Sequence, residues 1–403
     1  MSKLSEIAKQ ALMSPKEALF EIKAANKNLY IGIPKETSFQ ENRIALTPLS
    51  VALLVHNGHE VLIESGAGAG ANFTDVNYSE HGARIVYNKQ EVYNADCIVK
   101  IAPPTMEEVD MMKTGQFLFS ALQLSTLKIE YLNALMKKKV TAMSFEYLLD
   151  DSGVLSIVRA MGEIVGSTSI LIAAEYLSTV ASGKGLMLGG VTGVPSTEIV
   201  ILGAGAVGEY ATRTAIALGA TVKVFDSSIS RLRRLQNSIN SRIYTSVLQP
   251  IILQNAIRRC DIAIGAIRAT NGRSPCIISE ETVSHMKPNS VIIDISIDQG
   301  GCFETSRVTN HTEPVFRKYN VIHYCVPNIA SRVSRTASYA LTNIIAPILI
   351  DIGDIGSVID LIWERPGIRN SIYLYQGQLT NKDLAERFNI PLKDLELLIV
   401  ATR

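Results

Sequence analysis

The fold is decided by the stretch Ile199-Val200-Ile201-Leu202-Gly203-Ala204-Gly205-Ala206-Val207-Gly208. Its four apolar residues are typical of a buried strand, and they run directly into a G-x-G-x-x-G turn followed by a helical segment, residues 209–218. The first glycine makes the tight turn, the second lets the backbone approach a pyrophosphate, and the third lets helix and strand pack closely. Because a helix N-terminus favours anions, we predict that residues 203–208 bind a dinucleotide.

The next predicted strand selects the cofactor. Thr221–Phe225 ends in Asp226, eighteen residues after the last glycine of the turn, close to the spacing of the acid that accepts from the ribose hydroxyls. A carboxylate there repels the extra phosphate of NADP, so we predict NAD as the cofactor. Three arginines on the following helix could offset that repulsion, but we interpret them as a solvated face. They are Arg231, Arg233 and Arg234.

Two series of strands alternate with helical segments, which is typical of βαβ units and parallel sheets. We therefore predict an α/β fold of two doubly wound parallel-sheet (Rossmann-like) domains linked by long helices, Val158–Ser178 and Ser338–Ile350. Residues 158–334 form the predicted NAD-binding domain, inserted into a discontinuous substrate domain of residues 1–157 and 335–403. Residues 1–28 are expected to form an amphipathic N-terminal arm, and short helices should close the first domain from Gly353 onward. The predicted strands are Leu29–Ile33, Glu60–Ile63, Arg84–Val86, Cys97–Ile101, Gln116–Phe119, Val140–Ser144, Glu198–Leu202, Thr221–Phe225, Asp261–Ala266, Ser290–Ile295 and Val321–Val326.

A second glycine run is not expected to bind a nucleotide. The run from Gly66 to Ala71 follows a strand and formally matches the same pattern, but Asn72-Phe73-Thr74-Asp75 after it is typical of a helix cap. No acid ends a strand about 20 residues later. We therefore expect one dinucleotide site.

Composition excludes several other classes of protein. The 403 residues carry a formal net charge of +1 with no basic tract, which argues against a nucleic-acid partner. Five widely spaced cysteines without a C-x-x-C predict reduced thiols and no metal site. The N-terminus lacks the apolar core of a signal peptide, and the most apolar run, Ile344–Ile350, contains a proline. We expect a cytoplasmic protein with no membrane partner.

Further segments make the chain similar to the family of alanine dehydrogenase and the NAD-binding subunit of transhydrogenase, with alanine dehydrogenase the nearer member. The similarity begins near Tyr30 and extends to the C-terminus. The supporting segments are Ile31-Gly32-Ile33-Pro34-Lys35-Glu36, Asn42-Arg43-Ile44-Ala45-Leu46-Thr47-Pro48, Gly58-His59-Glu60-Val61-Leu62-Ile63-Glu64, Ile297-Asp298-Gln299-Gly300-Gly301-Cys302-Phe303-Glu304 and Tyr339-Ala340-Leu341-Thr342-Asn343.

The resemblance implies oxidative deamination of a small amino acid, such as L-alanine, to its 2-oxo acid, with hydride transfer to NAD. It implies that Arg43 holds the substrate carboxylate, and the alternative is a structural ion pair. Asp298 corresponds to an aspartate near the nicotinamide, so it is expected to contact the cofactor and, with Arg43, to be catalytic. Asn328 corresponds to a substrate-binding asparagine, whose alternative role is to stabilise a turn. Gly265 completes the predicted cofactor-binding set. The family further implies a homo-oligomer, a dimer or hexamer.

Two departures from the family pattern predict weakened or altered activity. Where alanine dehydrogenases carry a substrate-binding lysine and a catalytic histidine, this chain has Ala102 and Gln123. Alanine cannot bind a carboxylate, and glutamine cannot carry a proton at neutral pH. Three residues are candidates to replace the missing groups, although a structural role is expected for each: Lys100, Arg159 and His323. Cys302 is interpreted as a packed side chain rather than a reactive thiol.

Three functions follow from these residues. The leading hypothesis is an alanine dehydrogenase-type NAD-dependent oxidoreductase. The second is a non-catalytic NAD(H)-binding sensor or subunit, motivated by Ala102 and Gln123. The third is a soluble transhydrogenase subunit, which is disfavoured because Asp150-Asp151-Ser152-Gly153-Val154-Leu155 stands where that subunit's docking loop is expected.

Overall fold

The computed structural model describes residues 28–402, apart from residues 125, 240 and 269–273. Residues 1–27 of the predicted N-terminal arm lie outside the described residues. The described chain forms two sheets with helices packed on them.

The first sheet has eight strands in the order β15-β14-β6-β5-β4-β1-β2-β3. Strands β1 to β6 are parallel to one another, whereas β14 is antiparallel to both β6 and β15 and forms one edge with β15. The chain thus returns to this sheet after completing the second one. Its strands are β1 (Tyr30–Ile33), β2 (Glu60–Glu64), β3 (Arg84–Val86), β4 (Cys97–Val99), β5 (Phe117–Ser120), β6 (Thr141–Ser144), β14 (Ile372–Tyr375) and β15 (Gln378–Leu379).

The second sheet has seven strands in the order β12-β13-β11-β10-β7-β8-β9, parallel except for the edge strand β12. The aliphatic side chains of its central strands are buried on both faces, as expected for a sheet covered by helices on both sides. Its strands are β7 (Glu198–Leu202), β8 (Thr221–Phe225), β9 (Tyr244–Ser246), β10 (Ile262–Gly265), β11 (Val291–Asp294), β12 (Val315–Lys318) and β13 (Val321–Tyr324).

Fifteen α-helices lie in the described part of the chain. Short 3₁₀ helices cover Ala69–Ala71, Phe145–Tyr147, Ile295–Gln299 and Ile329–Val333. The α-helices are α1 (Pro48–His56), α2 (Asp75–Glu80), α3 (Lys89–Val92), α4 (Met106–Met111), α5 (Ile129–Lys137), α6 (Ser156–Leu177), α7 (Ala206–Ala217), α8 (Ile229–Ser238), α9 (Pro250–Arg259), α10 (Glu280–Ser284), α11 (Ser334–Ile355), α12 (Val358–Glu364), α13 (Pro366–Arg369), α14 (Lys382–Phe388) and α15 (Leu395–Thr402).

The two long helices α6 and α11 pack against each other; α6 contributes to the cores of both sheets, and α11 to the core of the first. They match the predicted connecting helices, and Pro347 lies within α11. Helix α6 contacts the first turn of α7 through glycines, because a Cβ on Gly166 would lie 2.3 Å from the carbonyl oxygen of Val207. By length and composition, Ser156–Leu177 and Ile329–Ile355 are long and apolar enough to span a membrane, but many of their residues are buried in the cores. The expected absence of a membrane partner stays a prediction.

The α/β fold with two Rossmann-like sheets is confirmed, and all eleven predicted strands are present with small shifts at their ends. The sequence interpretation missed the antiparallel hairpin β14–β15, because only helices were expected after Gly353. Its turn is Gln376-Gly377, with φ of 46° and 77°, the backbone of a two-residue hairpin turn. The edge strands β9 and β12 were missed too, since partly exposed edge strands lack a continuous apolar run.

Candidate active site between the two sheets

The glycine turn has the geometry that a dinucleotide requires. Gly203 has φ of 110°, and a Cβ there would lie 2.4 Å from the carbonyl oxygen of Ala266. A Cβ on Gly208 would lie 1.9 Å from the carbonyl oxygen of Gly203, so the helix can approach the strand only without a side chain. Gly205, in contrast, faces open space, and it begins α7 with no side-chain cap. The first-turn N–H groups of α7 are therefore available to a pyrophosphate, and the residues present fit NAD.

Asp226 lies at the end of β8, where the sequence predicted the ribose-binding acid. Its carboxylate accepts hydrogen bonds from the N–H groups of Ala204 and Ser228, at 2.8 and 2.7 Å. Arg231 also donates to it, through Nε at 3.0 Å and Nη2 at 2.7 Å. Burial alone would raise the pKa of Asp226, but these hydrogen bonds hold that pKa below its ordinary value.

The three arginines after Asp226 are all exposed, as expected for a solvated face, but two of them also form hydrogen bonds near the glycine turn. Arg231 pairs with Asp226, and Arg234 donates to the carbonyl oxygen of Ala204 at 3.2 Å. Both arginine side chains are long enough to reach from α8 back to the residues around the glycine turn. Helical periodicity in the sequence does not reveal such contacts. The adenosine end of the predicted cofactor site is therefore less acidic than Asp226 alone implies.

Gly265, at the end of β10, has a more specific packing role than the sequence indicated. A Cβ there would lie 2.8 Å from Asp294 Oδ1 and 3.0 Å from both Cys302 Sγ and a ring carbon of Phe303. These neighbours account for the glycine without a ligand. Its assignment to the cofactor site stays a prediction.

The predicted carboxylate-binding arginine is held by a neighbouring acid. Arg43 donates to Glu41 through Nε at 2.7 Å and Nη2 at 2.6 Å, and its Nη1 lies 3.5 Å from the sulfur of Met161. Asn328 donates its side-chain amide to Glu41 at 2.8 Å. Burial opposes both charged forms, yet the mutual interaction lowers the pKa of Glu41 and raises that of Arg43. Glu41 thus joins Arg43, after β1 of the first sheet, to Asn328, after β13 of the second.

Asp298 completes this cluster from the 3₁₀ helix that follows β11. Asp298 is exposed to solvent, and desolvation by the protein around its carboxyl group raises its pKa to about 6. The guanidinium of Arg43 and the N–H of Asn328 act in the opposite direction and lower that pKa. The structure thus brings together three predicted site residues: Arg43, Asp298 and Asn328.

The two positions at which the sequence predicts a departure from the family pattern lie on the first sheet, after β4 and β5. Ala102 is completely buried, and its N–H faces Glu36 Oε2 at 3.3 Å. Gln123 is exposed and has φ of 50°, with its N–H donated to Glu146 at 2.7 Å. Neither side chain carries a titratable group. Position 102 is also sealed by its neighbours rather than open to solvent.

The three residues considered as replacements for the missing lysine and histidine each have another partner in the structure. Lys100 is buried and donates to Glu36 at 2.8 Å. Arg159 pairs with Glu163 on the same helix. His323 is buried in the second sheet, within 2.8 Å of the Thr305 hydroxyl, and burial lowers its pKa to about 4.

The thiol of Cys302 is also buried. It donates to the Ser296 hydroxyl at 3.0 Å, and burial raises its pKa to about 12. A thiol with such a pKa is protonated at neutral pH and unreactive. Among the residues that the structure describes, no group of three or more His, Cys, Asp or Glu side chains forms a metal site.

Sequence reasoning missed Glu41 and Met161, the two residues that touch the guanidinium of Arg43. The signal for Glu41 was an acid two residues before the arginine, but spacing in a loop does not determine which side chains meet. It also missed why the second glycine run exists. A Cβ on Gly70 would lie 2.8 Å from the Asn42 backbone, so this run supports the loop that carries Arg43.

Comparisons with known proteins match both parts of the chain. Residues 32–165 match the family model "Alanine dehydrogenase/PNT, N-terminal domain", and residues 169–382 match its C-terminal counterpart. The alanine dehydrogenase of Mycolicibacterium smegmatis is 36% identical over 372 residues, covering 91% of this chain and 98% of that protein. The alanine dehydrogenase of Methanococcus maripaludis is 37% identical over 365 residues, covering 90% and 97%.

Solved structures agree. An L-alanine dehydrogenase superposes with a TM-score of 0.83 at 33% identity, covering 89% of this chain and 99% of that one. A transhydrogenase from Sinorhizobium meliloti shares the fold, with a TM-score of 0.74 at 22% identity, covering 87% and 99%. The resemblance inferred from the sequence motifs is confirmed.

Proposed function

The chain belongs to the alanine dehydrogenase/PNT family of NAD-dependent oxidoreductases, and on that premise we propose that it oxidatively deaminates L-alanine or a related small amino acid to its 2-oxo acid, with weakened activity. The observation that carries the proposal is the convergence of Arg43, Asn328 and Asp298 at the carboxyl ends of strands from both sheets. Ligands of open α/β sheets bind at such ends.

Arg43 is the residue that we assign to the substrate carboxylate. Glu41 occupies its Nε–Nη2 edge and fixes the plane of the guanidinium, while Nη1 has only the weak thioether acceptor of Met161. Nη1 is therefore the donor left for a substrate carboxylate. Asn328, tied to the same glutamate, lies beside it.

Asp298 is the residue that we assign to proton transfer. Its pKa of about 6 keeps it mostly ionised at neutral pH but close enough to exchange a proton there. When bound, NAD accepts the hydride from the substrate Cα, and residues 203–208 with Asp226 are the ones proposed to hold it.

The weakened activity follows from Ala102 and Gln123. General acid–base groups typically contribute about 10²–10⁴-fold to a rate, and neither residue supplies one. Lys100 cannot substitute for the missing cation without leaving Glu36. The same observation favours a second candidate function, a non-catalytic NAD(H)-binding sensor.

One assay separates the two functions. NADH formation is followed with NAD and a panel of amino acids, and NADH oxidation with pyruvate and ammonium, for the wild type and Asp298→Asn. Slow turnover that Asp298→Asn abolishes supports the dehydrogenase. Tight NADH binding without turnover of any amino acid contradicts it and supports the sensor.

The proposal also covers the localisation and the assembly of the protein. We propose a cytoplasmic homo-oligomer, a dimer or hexamer. Light scattering of the purified chain measures its mass against the 43.9 kDa of one copy, and a monomer contradicts the assembly.

A further inference from the structure

Gln40, which lies between β1 and the arginine of the candidate site, fastens the first domain to the second. Its Oε1 accepts the N–H of His311 at 2.7 Å, and its Nε2 donates to the Thr312 hydroxyl at 3.0 Å. Its own carbonyl oxygen accepts from the Ser331 hydroxyl at 2.7 Å. All three partners belong to the part of the chain that forms the second sheet or directly follows it. The oxygen and the nitrogen of the Gln40 side-chain amide thus both form hydrogen bonds with residues of the second domain.

The backbone of Gln40 adopts a conformation that glutamine disfavours. Its φ is 57°, in the left-handed region where a Cβ crowds the following carbonyl oxygen. Such a conformation persists only where surrounding interactions impose it, and these outliers cluster at functional sites. Here Gln40 is the third residue of the turn 38–41, in which the N–H of Glu41 donates to the carbonyl oxygen of Ser38 at 3.1 Å, and the cross-domain hydrogen bonds hold its side chain.

The residues after Gln40 connect it to the candidate site. Asn42 donates its N–H to the Ser331 hydroxyl at 2.8 Å, the same hydroxyl that donates to Gln40. Between them, Glu41 spans from Asn328 to Arg43, and its side chain is only 3% exposed. The guanidinium therefore depends on Glu41 for its orientation, and Glu41 depends on a loop that is fastened at Gln40.

We propose that Gln40 is a positioning residue, which orients Arg43 for a carboxylate ligand by fastening residues 40–43 to the second domain. This inference rests on the proposed function, because it takes Arg43 as the carboxylate site. Gln40 itself is not among the residues assigned to the ligand or to the cofactor.

The test measures binding of pyruvate to the NADH-saturated protein, and of NADH alone, by calorimetric titration. The variants are Gln40→Gly, Gln40→Asn and Thr312→Val. Gln376→Gly is the matched control, because Gln376 is also a glutamine with a positive φ of 46° but lies exposed in the β14–β15 turn. Glycine relieves the backbone in both, so the two differ in the cross-domain contacts that are lost.

Loss of both side-chain hydrogen bonds in Gln40→Gly is expected to raise the dissociation constant of pyruvate about tenfold. Thr312→Val, which loses one of them, should raise it about threefold, and Gln40→Asn should fall between the wild type and Gln40→Gly. NADH affinity should change less than about twofold in every variant, because the glycine turn is untouched. Combining Gln40→Gly with Thr312→Val should add nothing, since both remove the same contact.

Each other outcome has a definite meaning when Arg43→Ala is measured beside these variants. If the wild type does not bind pyruvate, or Arg43→Ala binds it equally well, the proposed carboxylate site is wrong. If Arg43→Ala loses pyruvate while Gln40→Gly and Thr312→Val keep wild-type affinity, the positioning role alone is overturned. Equal losses of pyruvate and NADH affinity in Gln40→Gly would also overturn it, because they indicate general damage to the domain contact.

Discussion

The carboxylate of Asp226 is clamped by Arg231, whose Nη2 donates to Oδ1 at 2.7 Å while Nε is shared between both oxygens at 3.0 Å. The guanidinium is about half exposed, whereas the carboxylate is almost completely buried. Ribose hydroxyls must therefore either join this pair or displace Arg231. The arginine also brings a positive charge to the place where NADP would carry its additional phosphate.

NADH should bind more tightly than NADPH, because the buried Asp226 repels a second anion. Arg231→Ala should widen the difference, since it removes the cation that attracts the phosphate. Arg233→Ala is the control, because the structure places Arg231 and Arg234, but not Arg233, in hydrogen bonds with Asp226 or the glycine turn. Titration of both cofactors at one ionic strength measures this. Equal affinities in the wild type would show that the arginines outweigh Asp226.

Arg43→Ala should abolish binding of pyruvate while leaving NADH affinity almost unchanged. The variant also leaves Glu41, 3% exposed, without its cation, which should destabilise the fold by about 3 kcal/mol. Glu41→Gln combined with Arg43→Ala should recover much of that stability but none of the pyruvate binding. Calorimetric titration and urea unfolding measure the two effects separately. A parallel loss of NADH affinity would assign Arg43 a structural role instead.

The wild type should be a poor alanine dehydrogenase, at least about a hundredfold below the 10 s⁻¹ typical of enzymes. Ala102→Lys with Gln123→His should raise the rate of reductive amination of pyruvate, and either change alone should do less, because such groups act as a unit. The buried site of Ala102 makes the lysine costly, so thermal unfolding of each variant is measured beside the rate. NADH oxidation with pyruvate and ammonium gives the rates. A wild-type rate of several per second would contradict the prediction.

His323 should make the fold less stable in mild acid. Its pKa of about 4 in the folded chain lies below the ordinary 6.5, because burial disfavours the charged ring. As pH falls below 6.5, the unfolded chain binds a proton that the folded chain does not, so stability is lost between pH 6.5 and about 4. Between pH 7.5 and 5.0 the loss is about 2 kcal/mol.

Urea unfolding of the wild type and His323→Gln at those two pH values measures this loss. The variant should lose less stability than the wild type, since the other titrating groups are common to both. An identical pH dependence in the two proteins would show that His323 does not contribute.

The parts of the molecule that the sequence predicted are those set by short-range constraints. The strand, the glycine turn and the helix after it lie in consecutive residues, and a Cβ on Gly208 would meet the carbonyl oxygen of Gly203 in the same turn. Asp226 was found for the same reason, because its place at the end of β8 depends on spacing alone. The hairpin around Gln376-Gly377 was missed, although its signal was equally local.

The hydrogen-bond partners of the long charged side chains could not be predicted from their spacing in the sequence. Arg231 and Arg234 share a helix with Arg233, yet only the first two were placed against Asp226 and the glycine turn. Flexible side chains of this length reach partners on either side of a helix. Lys100 is a second example: its sequence position makes it a candidate for the missing substrate-binding cation, but in the structure it pairs with Glu36.

The sequence by itself thus determined the α/β fold, the cofactor turn and the absence of titratable side chains at Ala102 and Gln123. Only the tertiary structure decided what surrounds Arg43. Glu41 and Asn328 are 287 residues apart and meet because the chain that follows β1 in one sheet lies against the chain that follows β13 in the other. The same folding raises the pKa of Asp298 to about 6, since desolvation depends on every element packed around a carboxylate and not on its neighbours in sequence.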